Sequence, residues 1–343
     1  MTGSFYSTAL LEVNPGCPER QAIRQAAGVI RGGGLVSFPT ETVYGLGADA
    51  LNPVAVARIF QAKGRPADNP VIVHIAGAED LEAVAARVPE QAWRLANSFW
   101  PGPLTLVLPR ARRVPEVTTG GLKTVAVRVP AHPVALALIL ASGCPIAAPS
   151  ANRSGRASPT SAAHVMEDLA GRVELVLDGG PCPVGVESTV LDLTEDPPIL
   201  LRPGAVPQEA LEKTIGEIRT LQRHQDAAKR SPGARYRHYA PRARLLLVGP
   251  GEAESLASRL LREGQKIGVM AQRHLSLESP KLVARVMPQG LAEYAHILFA
   301  TLRDMDAAGC DVIVAEAVAT KGLGQAIMDR LRRASSAGSE GIG

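Results

Sequence analysis

The amino-acid sequence predicts an α/β protein with two domains and a basic linker between them. Its 343 residues exceed what one compact domain usually needs, since a domain averages roughly 150 residues. Helix and strand patterns alternate along most of the chain. Residues 219–244 carry eight basic residues against one acid, together with Pro and Gly, which is typical of a linker. We therefore expect domains at 1–215 and 244–343, joined by a linker at 216–243.

The first domain shows many short strands among helices. Its first helix has apolar residues at Ile23, Ala26, Ala27 and Ile30 on one face and ends at a run of three glycines. Helices are expected at 19–31, 53–62, 81–86, 91–98, 133–141 and 162–169. Strands are expected at 35–38, 71–75, 104–108, 125–129, 146–148, 175–178, 189–193 and 199–202. This mixture predicts an α/β or α+β domain.

The second domain alternates strand and helix more regularly. Strands are expected at 245–248, 267–270 and 312–315, and helices at 252–263, 291–308 and 324–334. Strands separated by helices predict a small parallel sheet.

Composition excludes several classes of protein. The chain is 46% hydrophobic, so it can bury real cores, but only 3% aromatic, which argues against an aromatic-lined carbohydrate groove or a base-stacking platform. No apolar run approaches the roughly 18 residues of a membrane span, and no secretory leader pattern opens the chain, so we expect a cytoplasmic protein. The four cysteines form no C-x-x-C pair for zinc or redox chemistry.

Basic residues near strand and helix ends suggest an anion-binding site. The chain has 30 Arg and 7 Lys, and Arg favours bidentate contact with phosphate and carboxylate, although a GC-rich genome gives the same bias. Lys63 and Arg65 follow a predicted helix and can point at one anion, with Pro66 and Pro70 stiffening the loop. Cations at a helix C-terminus also have a purely structural reason, so both interpretations stay open.

Arg128 lies within an apolar strand, on the same face as Thr124 and Ala126. A buried arginine needs an anionic partner. That partner is either a structural carboxylate or the carboxylate of a substrate. His74 also lies in an apolar strand, where a histidine is more often a core residue than a catalyst.

A loop of small and hydroxyl residues at 147–155 follows another strand and offers donors to phosphate, while Ser158 fits equally well as a helix N-cap. The chain lacks the P-loop, G-x-S-x-G and H-E-x-x-H patterns, and its acids form no evident pair. Any catalysis should therefore depend on positioning the substrates and stabilising charge rather than on a covalent nucleophile.

Several short segments, taken in order, resemble the YrdC family. They are P-T-E-T-V-Y-G-L at 39–46, K-G-R-P at 63–66, W-P-G-P-L-T at 100–105, R-V-P at 128–130, P-S-A-N at 149–152 and E-S-T-V at 187–190. With S-P-G-A-R-Y-R-H-Y-A-P at 231–241 and G-L-G-Q-A-I-M-D-R-L at 322–331, the chain resembles the long-form threonylcarbamoyl-AMP synthases in particular. The resemblance implies a YrdC-like twisted mixed sheet with flanking helices, followed by a smaller Rossmann-like parallel-sheet domain.

The resemblance also implies an activity. Such an enzyme is a nucleotidyltransferase that condenses L-threonine, bicarbonate or CO₂, and ATP to L-threonylcarbamoyl-AMP and pyrophosphate. Its product serves the threonylcarbamoyl modification of a tRNA adenosine beside the anticodon, through partner proteins. Mg²⁺ is expected with ATP, held by phosphates and water rather than by protein side chains.

The same resemblance assigns roles to individual residues. Lys63 and Arg65 are expected to be catalytic. ATP is expected to contact Lys63, Arg65, Asn69, Thr124, Ser150, Asn152, Ser158, Arg202, Tyr236 and Tyr239. Threonine is expected to contact Thr42, His74, Arg128, Ala148 and Ser188.

Two other functions compete with this one. A non-catalytic module for double-stranded RNA or tRNA fits the basic linker and the pI of about 9.0, but it leaves Arg128 unexplained. A carbamoyl transferase of the hydrogenase-maturation type would carry zinc-finger cysteine pairs, which this chain lacks. The linker either closes over the nucleotide as a lid or only tethers the two domains.

Overall fold

The computed structural model describes residues 7–220, Arg230 and residues 239–336. Its helices are α1 (Arg20–Arg31), α2 (Pro53–Lys63), α3 (Leu81–Val84), α4 (Glu90–Phe99), α5 (Pro133–Ser142), α6 (Ala162–Leu169), α7 (Gln208–Ile215), α8 (Ala253–Arg262), α9 (Leu291–Ala307) and α10 (Leu323–Ser336). Its strands in the first sheet are β1 (Ala9–Glu12), β2 (Val36–Phe38), β3 (Gly45–Asp49), β4 (Ile72–His74), β5 (Leu104–Pro109), β6 (Thr124–Arg128), β7 (Ile146–Ala147), β8 (Leu175–Asp178), β9 (Thr189–Asp192), β10 (Ile199–Arg202) and β11 (Arg219–Thr220). The strands in the second sheet are β12 (Arg244–Val248), β13 (Ile267–Ala271), β14 (Leu282–Val286) and β15 (Val312–Glu316).

The two sheets confirm the predicted fold class. The first has the order β1-β8-β2-β3-β7-β4-β6-β5-β9-β10-β11 and mixes parallel with antiparallel pairs. The second has the order β12-β15-β13-β14, and all its pairs are parallel. Helices bury apolar stripes against both sheets; α1, for example, buries Ile23, Ala26, Ala27 and Ile30.

Local chemistry explains where α2 begins and ends. The side chain of Asn52 accepts hydrogen bonds from the backbone N–H groups of Val54 and Ala55, and Pro53 occupies the first helical position. Gly64 ends the helix with a φ of 63°, which favours glycine. This left-handed turn separates Lys63 from Arg65, and both side chains are buried.

Several strands and one helix were not predicted from the sequence. The strands β1 and β14 lie at sheet edges and are partly exposed, so their apolar pattern is weak. The strand β3 begins at Gly45, at the end of the P-T-E-T-V-Y-G-L segment, and no strand was expected there. Helix α7 and the short β11 extend the first domain, and β11 pairs with β10 inside the region predicted to be linker.

The second domain packs directly on the first. Gly185 lies against the backbone of α9 at Ala295, and Arg303 of α9 forms an ion pair with the buried Asp168 at 2.7 Å. A shared apolar cluster joins Val43 and Val186 of the first domain to residues of the second. No helix within the described ranges is both long and apolar enough to cross a membrane.

Candidate substrate-binding cavity

A cavity that is open to solvent lies against one face of the large sheet. Ile72 and His74 both line it, and residues two apart in a strand share a face. The register pairs His74 of β4 with Arg128 of β6, which brings Arg128 to the same place. The full lining comprises Thr40, Thr42, Val43, Gly45, Arg65, Ile72, His74, Arg128, Ala148, Pro149, Ser150, Glu187, Ser188, Arg202 and Tyr239.

Arg128 is held in place by protein groups. Its Nη2 forms an ion pair with Glu41 at 2.6 Å, and both side chains are almost fully buried. Its Nη1 donates to the hydroxyl of Thr42 at 3.0 Å, and its Nε donates to the carbonyl of Gly102. Of the two partners left open by the sequence, the structural carboxylate is therefore present and is Glu41. Arg128 nevertheless lines the cavity, where a second anion can approach it.

His74 faces the cavity as a neutral imidazole. Burial, and secondarily the nearby Arg128, lower the pKa of His74 to about 3. Its Nδ1 is buried and has no hydrogen-bond partner among the residues described. A neutral ring nitrogen in this position can accept a hydrogen bond from an ammonium or hydroxyl group.

Lys63 and Arg65 lie on opposite sides of Gly64 and differ in what they contact. Arg65 lines the cavity and donates from Nη2 to the carbonyl of Pro70 at 2.9 Å. Lys63 is outside the lining, and its Nζ donates to the carbonyls of Ser150 and Asn152. Burial, with a contribution from Arg65, lowers the pKa of Lys63 well below its usual value.

The hydroxyl-rich loop after β7 is tied together by Asn152. Its Nδ2 donates to the carbonyls of Arg153 and Arg156, and its Oδ1 accepts from Ser150. Asn152 therefore shapes the loop, while Ser150 lines the cavity. The backbone N–H of Ala148 is bonded to the carbonyl of Ile72, so it is not available to a ligand.

Arg202 and Ser188 form another wall of the cavity. The Nε and Nη2 of Arg202 donate to the carbonyl of Ser188 at 3.1 and 2.9 Å. The hydroxyl of Ser188 lies 2.8 Å from that of Thr105. Arg128 and Arg202 end strands that are three positions apart in the sheet, or about 14 Å at the usual strand spacing.

Glu187 and Tyr239 close the side nearest the second domain. Glu187 accepts a hydrogen bond from Ser158 and pairs with Arg330 of α10 at 2.8 Å. Tyr239 stacks on Phe299 with ring centroids 5.4 Å apart. Burial and the Glu187 charge raise the pKa of Tyr239, so it stays a neutral phenol.

The structure brings most of the predicted site residues together. Those that line the cavity are Arg65, Ser150, Arg202, Tyr239, Thr42, His74, Arg128, Ala148 and Ser188. Those outside its lining are Lys63, Asn69, Thr124, Asn152 and Ser158. Tyr236 and most of the predicted linker lie outside the described residues. No role was predicted from the sequence for Glu187 or for Arg330, although Glu187 stands in the E-S-T-V segment and Arg330 in the G-L-G-Q-A-I-M-D-R-L segment.

The described residues include no cluster of three or more His, Cys, Asp or Glu side chains able to hold a metal ion. Glu187 is the one carboxylate among the lining residues, and Arg330 already pairs with it.

Two family models match consecutive parts of the chain. One, described as Telomere recombination and named Sua5_yciO_yrdC, matches residues 28–204. The other, described as Threonylcarbamoyl-AMP synthase, C-terminal domain, matches residues 206–336.

Relatives over nearly the whole length agree with these matches. The threonylcarbamoyl-AMP synthase of Pyrococcus abyssi is 55% identical over 327 residues, covering 92% of this chain and 95% of the relative. That of Bacillus subtilis is 46% identical over 320 residues, covering 91% and 92%. The crystal structure of P. abyssi Sua5 complexed with L-threonine has a TM-score of 0.90 and 53% identity, covering 96% of this chain and 98% of that one. The chain therefore belongs to the threonylcarbamoyl-AMP synthase family.

Proposed function

We propose that this chain is a nucleotidyltransferase that makes L-threonylcarbamoyl-AMP and pyrophosphate from L-threonine, ATP, and bicarbonate or CO₂. The observation that carries the proposal is the charge of one cavity. Arg65, Arg128 and Arg202 line it, and its single lining carboxylate within the described residues is Glu187. Such a cavity suits a triphosphate and an amino-acid carboxylate together. Membership of the family, and the L-threonine complex of the P. abyssi relative, support the same activity.

Threonine fits the end of the cavity at Arg128. Its carboxylate would approach the guanidinium beside the hydroxyl of Thr42, sharing Arg128 with Glu41. The neutral Nδ1 of His74 would accept a hydrogen bond from the threonine amine or hydroxyl.

The nucleotide would occupy the opposite side, between Arg65, Ser150 and Arg202. The ends of β6 and β10 lie about 14 Å apart, which would place the amino acid and the nucleotide at separate ends of the cavity. Tyr239 would close the side of this space that faces the second domain.

The reaction then needs positioning and charge stabilisation. The threonine amine attacks CO₂ and loses a proton to form a carbamate; with bicarbonate, water leaves instead. A carbamate oxygen next attacks the α-phosphorus of ATP, a new P–O bond forms, and the bond to the β-phosphate oxygen breaks to release pyrophosphate. Negative charge builds on the phosphoryl oxygens, where fixed guanidinium groups stabilise it.

Mg²⁺ would enter with ATP, held by its phosphates and by water; Glu187, the carboxylate among the lining residues, already pairs with Arg330. A bound Mg²⁺ would neutralise phosphate charge. The product is expected to supply the threonylcarbamoyl group for a tRNA adenosine beside the anticodon, through partner proteins.

Pyrophosphate release by the full chain tests the proposal. Release from ATP should require both L-threonine and bicarbonate and should need no RNA. The variant Arg128→Met should raise KM for threonine by at least about tenfold, because it removes the charge that meets the carboxylate. Arg58→Met is the matched control, since Arg58 pairs with Glu174 outside the cavity lining.

Pyrophosphate release that ignores threonine or bicarbonate would contradict the proposal. Salt-sensitive RNA binding without any pyrophosphate would favour the RNA-binding alternative.

A further inference from the structure

Arg330 of α10 is a fully buried arginine that reaches from the second domain to the cavity of the first. Its side chain is 0% exposed. Nε donates to Oε2 of Glu187 at 2.8 Å, and Nη1 donates to the carbonyl of Pro203 at 2.6 Å. Its guanidinium carbon lies 5.4 Å from the ring centroid of Tyr239. Such complete burial of a charge is tolerated only where partners compensate it.

The partners of Arg330 belong to the cavity wall or adjoin it. Glu187 lines the cavity, and Pro203 follows Arg202, which also lines it. Arg202 in turn holds the carbonyl of Ser188, the residue after Glu187. One guanidinium in the second domain therefore fixes both segments of this wall.

The charge of Glu187 explains why such a partner is needed. Glu187 is the acid among the lining residues, and an unpaired carboxylate there would repel the phosphates of a nucleotide. The other groups around it are the hydroxyl of Ser158, the phenol of Tyr239, the guanidinium of Arg202, and Asp329, which shares Arg330. Arg330 pairs with the carboxylate directly.

We propose that Arg330 is a positioning residue for the nucleotide: it neutralises Glu187 and turns its carboxylate toward the second domain, which keeps the cavity cationic. This inference rests on the proposed function, since it assumes that ATP is the occupant. It gives the second domain a part in nucleotide binding, separate from simple docking of the domains.

A second buried ion pair between the same domains provides the control. Arg303 of α9 pairs with Asp168 at 2.7 Å and donates to the carbonyl of Ala157. Both side chains are as buried as those of Arg330 and Glu187, but neither lines the cavity. Loss of Arg303 should weaken domain docking without adding charge to the site.

Calorimetric titration of the full chain with ATP and Mg²⁺, and separately with L-threonine, tests the proposal. Arg330→Met should raise Kd for ATP by at least about tenfold and leave Kd for threonine within about threefold. Arg330→Met combined with Glu187→Gln should return Kd for ATP to within about threefold of the wild type, because the repelling charge is gone. For Arg303→Met, Kd for ATP and Kd for threonine should both stay within about threefold of the wild-type values.

Several results would overturn the inference. They are wild-type ATP affinity in Arg330→Met, failure of Glu187→Gln to restore it, or an equal loss in Arg303→Met. If Arg330→Met does not fold, Arg330→Lys provides the test, because lysine keeps the positive charge. Near-wild-type ATP affinity in Arg330→Lys supports the inference, and loss of ATP binding overturns it. A wild-type chain that binds no ATP would contradict the proposed function instead, so the two failures are distinguishable.

Discussion

Replacing Lys63 by methionine should destabilise the first domain as well as impair the reaction. Lys63 is 3% exposed, and its Nζ donates to the carbonyls of Ser150 and Asn152 and lies 3.4 Å from Oδ1 of Asn152. Methionine has a similar length but no donor. The variant Lys63→Met therefore leaves two backbone carbonyls of the cavity loop without these partners.

The expected magnitude follows from those bonds. Each buried carbonyl left unsatisfied costs about 1–3 kcal/mol. Removing a buried ammonium relieves part of this, because burial disfavours the charged amine, as its lowered pKa shows. We expect a net loss of about 2–4 kcal/mol in the free energy of unfolding, since broken buried networks of this kind give losses of that order. For a domain of about 150–250 residues this lowers Tm by roughly 5–15 °C.

Thermal unfolding and the pyrophosphate assay measure the two effects together. Arg65→Met is the matched comparison, because Arg65 lies two residues away but lines the cavity. Its Nη2 donates to the carbonyls of Pro70 at 2.9 Å and Asn69 at 3.4 Å, so its Tm should fall as well, and its activity should fall by at least as much as that of Lys63→Met. A Lys63→Met variant with unchanged Tm and no activity would refute this reasoning. That result would support a direct contact of Lys63 with phosphate, as the family resemblance implies.

Two further predictions concern His74 and the contact between domains. The pKa of about 3 means that folded His74 excludes a proton that the unfolded chain takes up below about pH 6.5, so stability falls on acidification between these values. At pH 5 the proton taken up by unfolded His74 lowers the free energy of unfolding by about 2 kcal/mol. The urea midpoint of His74→Gln should therefore fall less between pH 7 and pH 5 than that of the wild type. An equal fall in both proteins would contradict this. Gly185→Ala should separate the domains, because φ is +80° and a Cβ would lie 2.4 Å from the carbonyl oxygen of Ala295. Small-angle scattering should show a larger radius of gyration for Gly185→Ala than for the wild type. The control Gly180→Ala, at φ +82° with open space around it, should keep the wild-type radius. A Gly185→Ala variant as compact as the wild type would contradict the prediction.

Much of the fold could be predicted from local sequence pattern, whereas the cavity residues and their partners could be predicted only in part. The helices of the first domain and the parallel second sheet depend on apolar periodicity and on caps that neighbouring residues provide, such as Asn52 and Gly64 for α2. The anomalous charge of Arg128 in an apolar strand correctly indicated a carboxylate partner, because a buried guanidinium requires one. The sequence could not choose Glu41 for that partner, since the choice depends on the path of the loop before β3.

Local sequence pattern could not predict which of Lys63 and Arg65 lines the cavity. Both are cations beside one glycine, and composition gives no reason to treat them differently. The left-handed turn at Gly64 separates them, so that Arg65 reaches the cavity and Lys63 reaches the loop after β7. Only the tertiary position of that loop, roughly ninety residues later, decides which cation faces a ligand.

The cavity arginines share a property that bears on how the site would work. Arg128 is fixed by Glu41, Arg65 by the carbonyl of Pro70, and Arg202 by the carbonyl of Ser188. Because their positions are set by the protein, an incoming anion meets donors that need little reorganisation, which is the condition for stabilising charge that develops in a transition state. The same arrangement makes the site depend on residues that never touch a substrate. Glu41 and Pro70 act from within the first domain, and Arg330 acts from the second, so removing an anchor should damage ligand binding even where the lining residues themselves are unchanged.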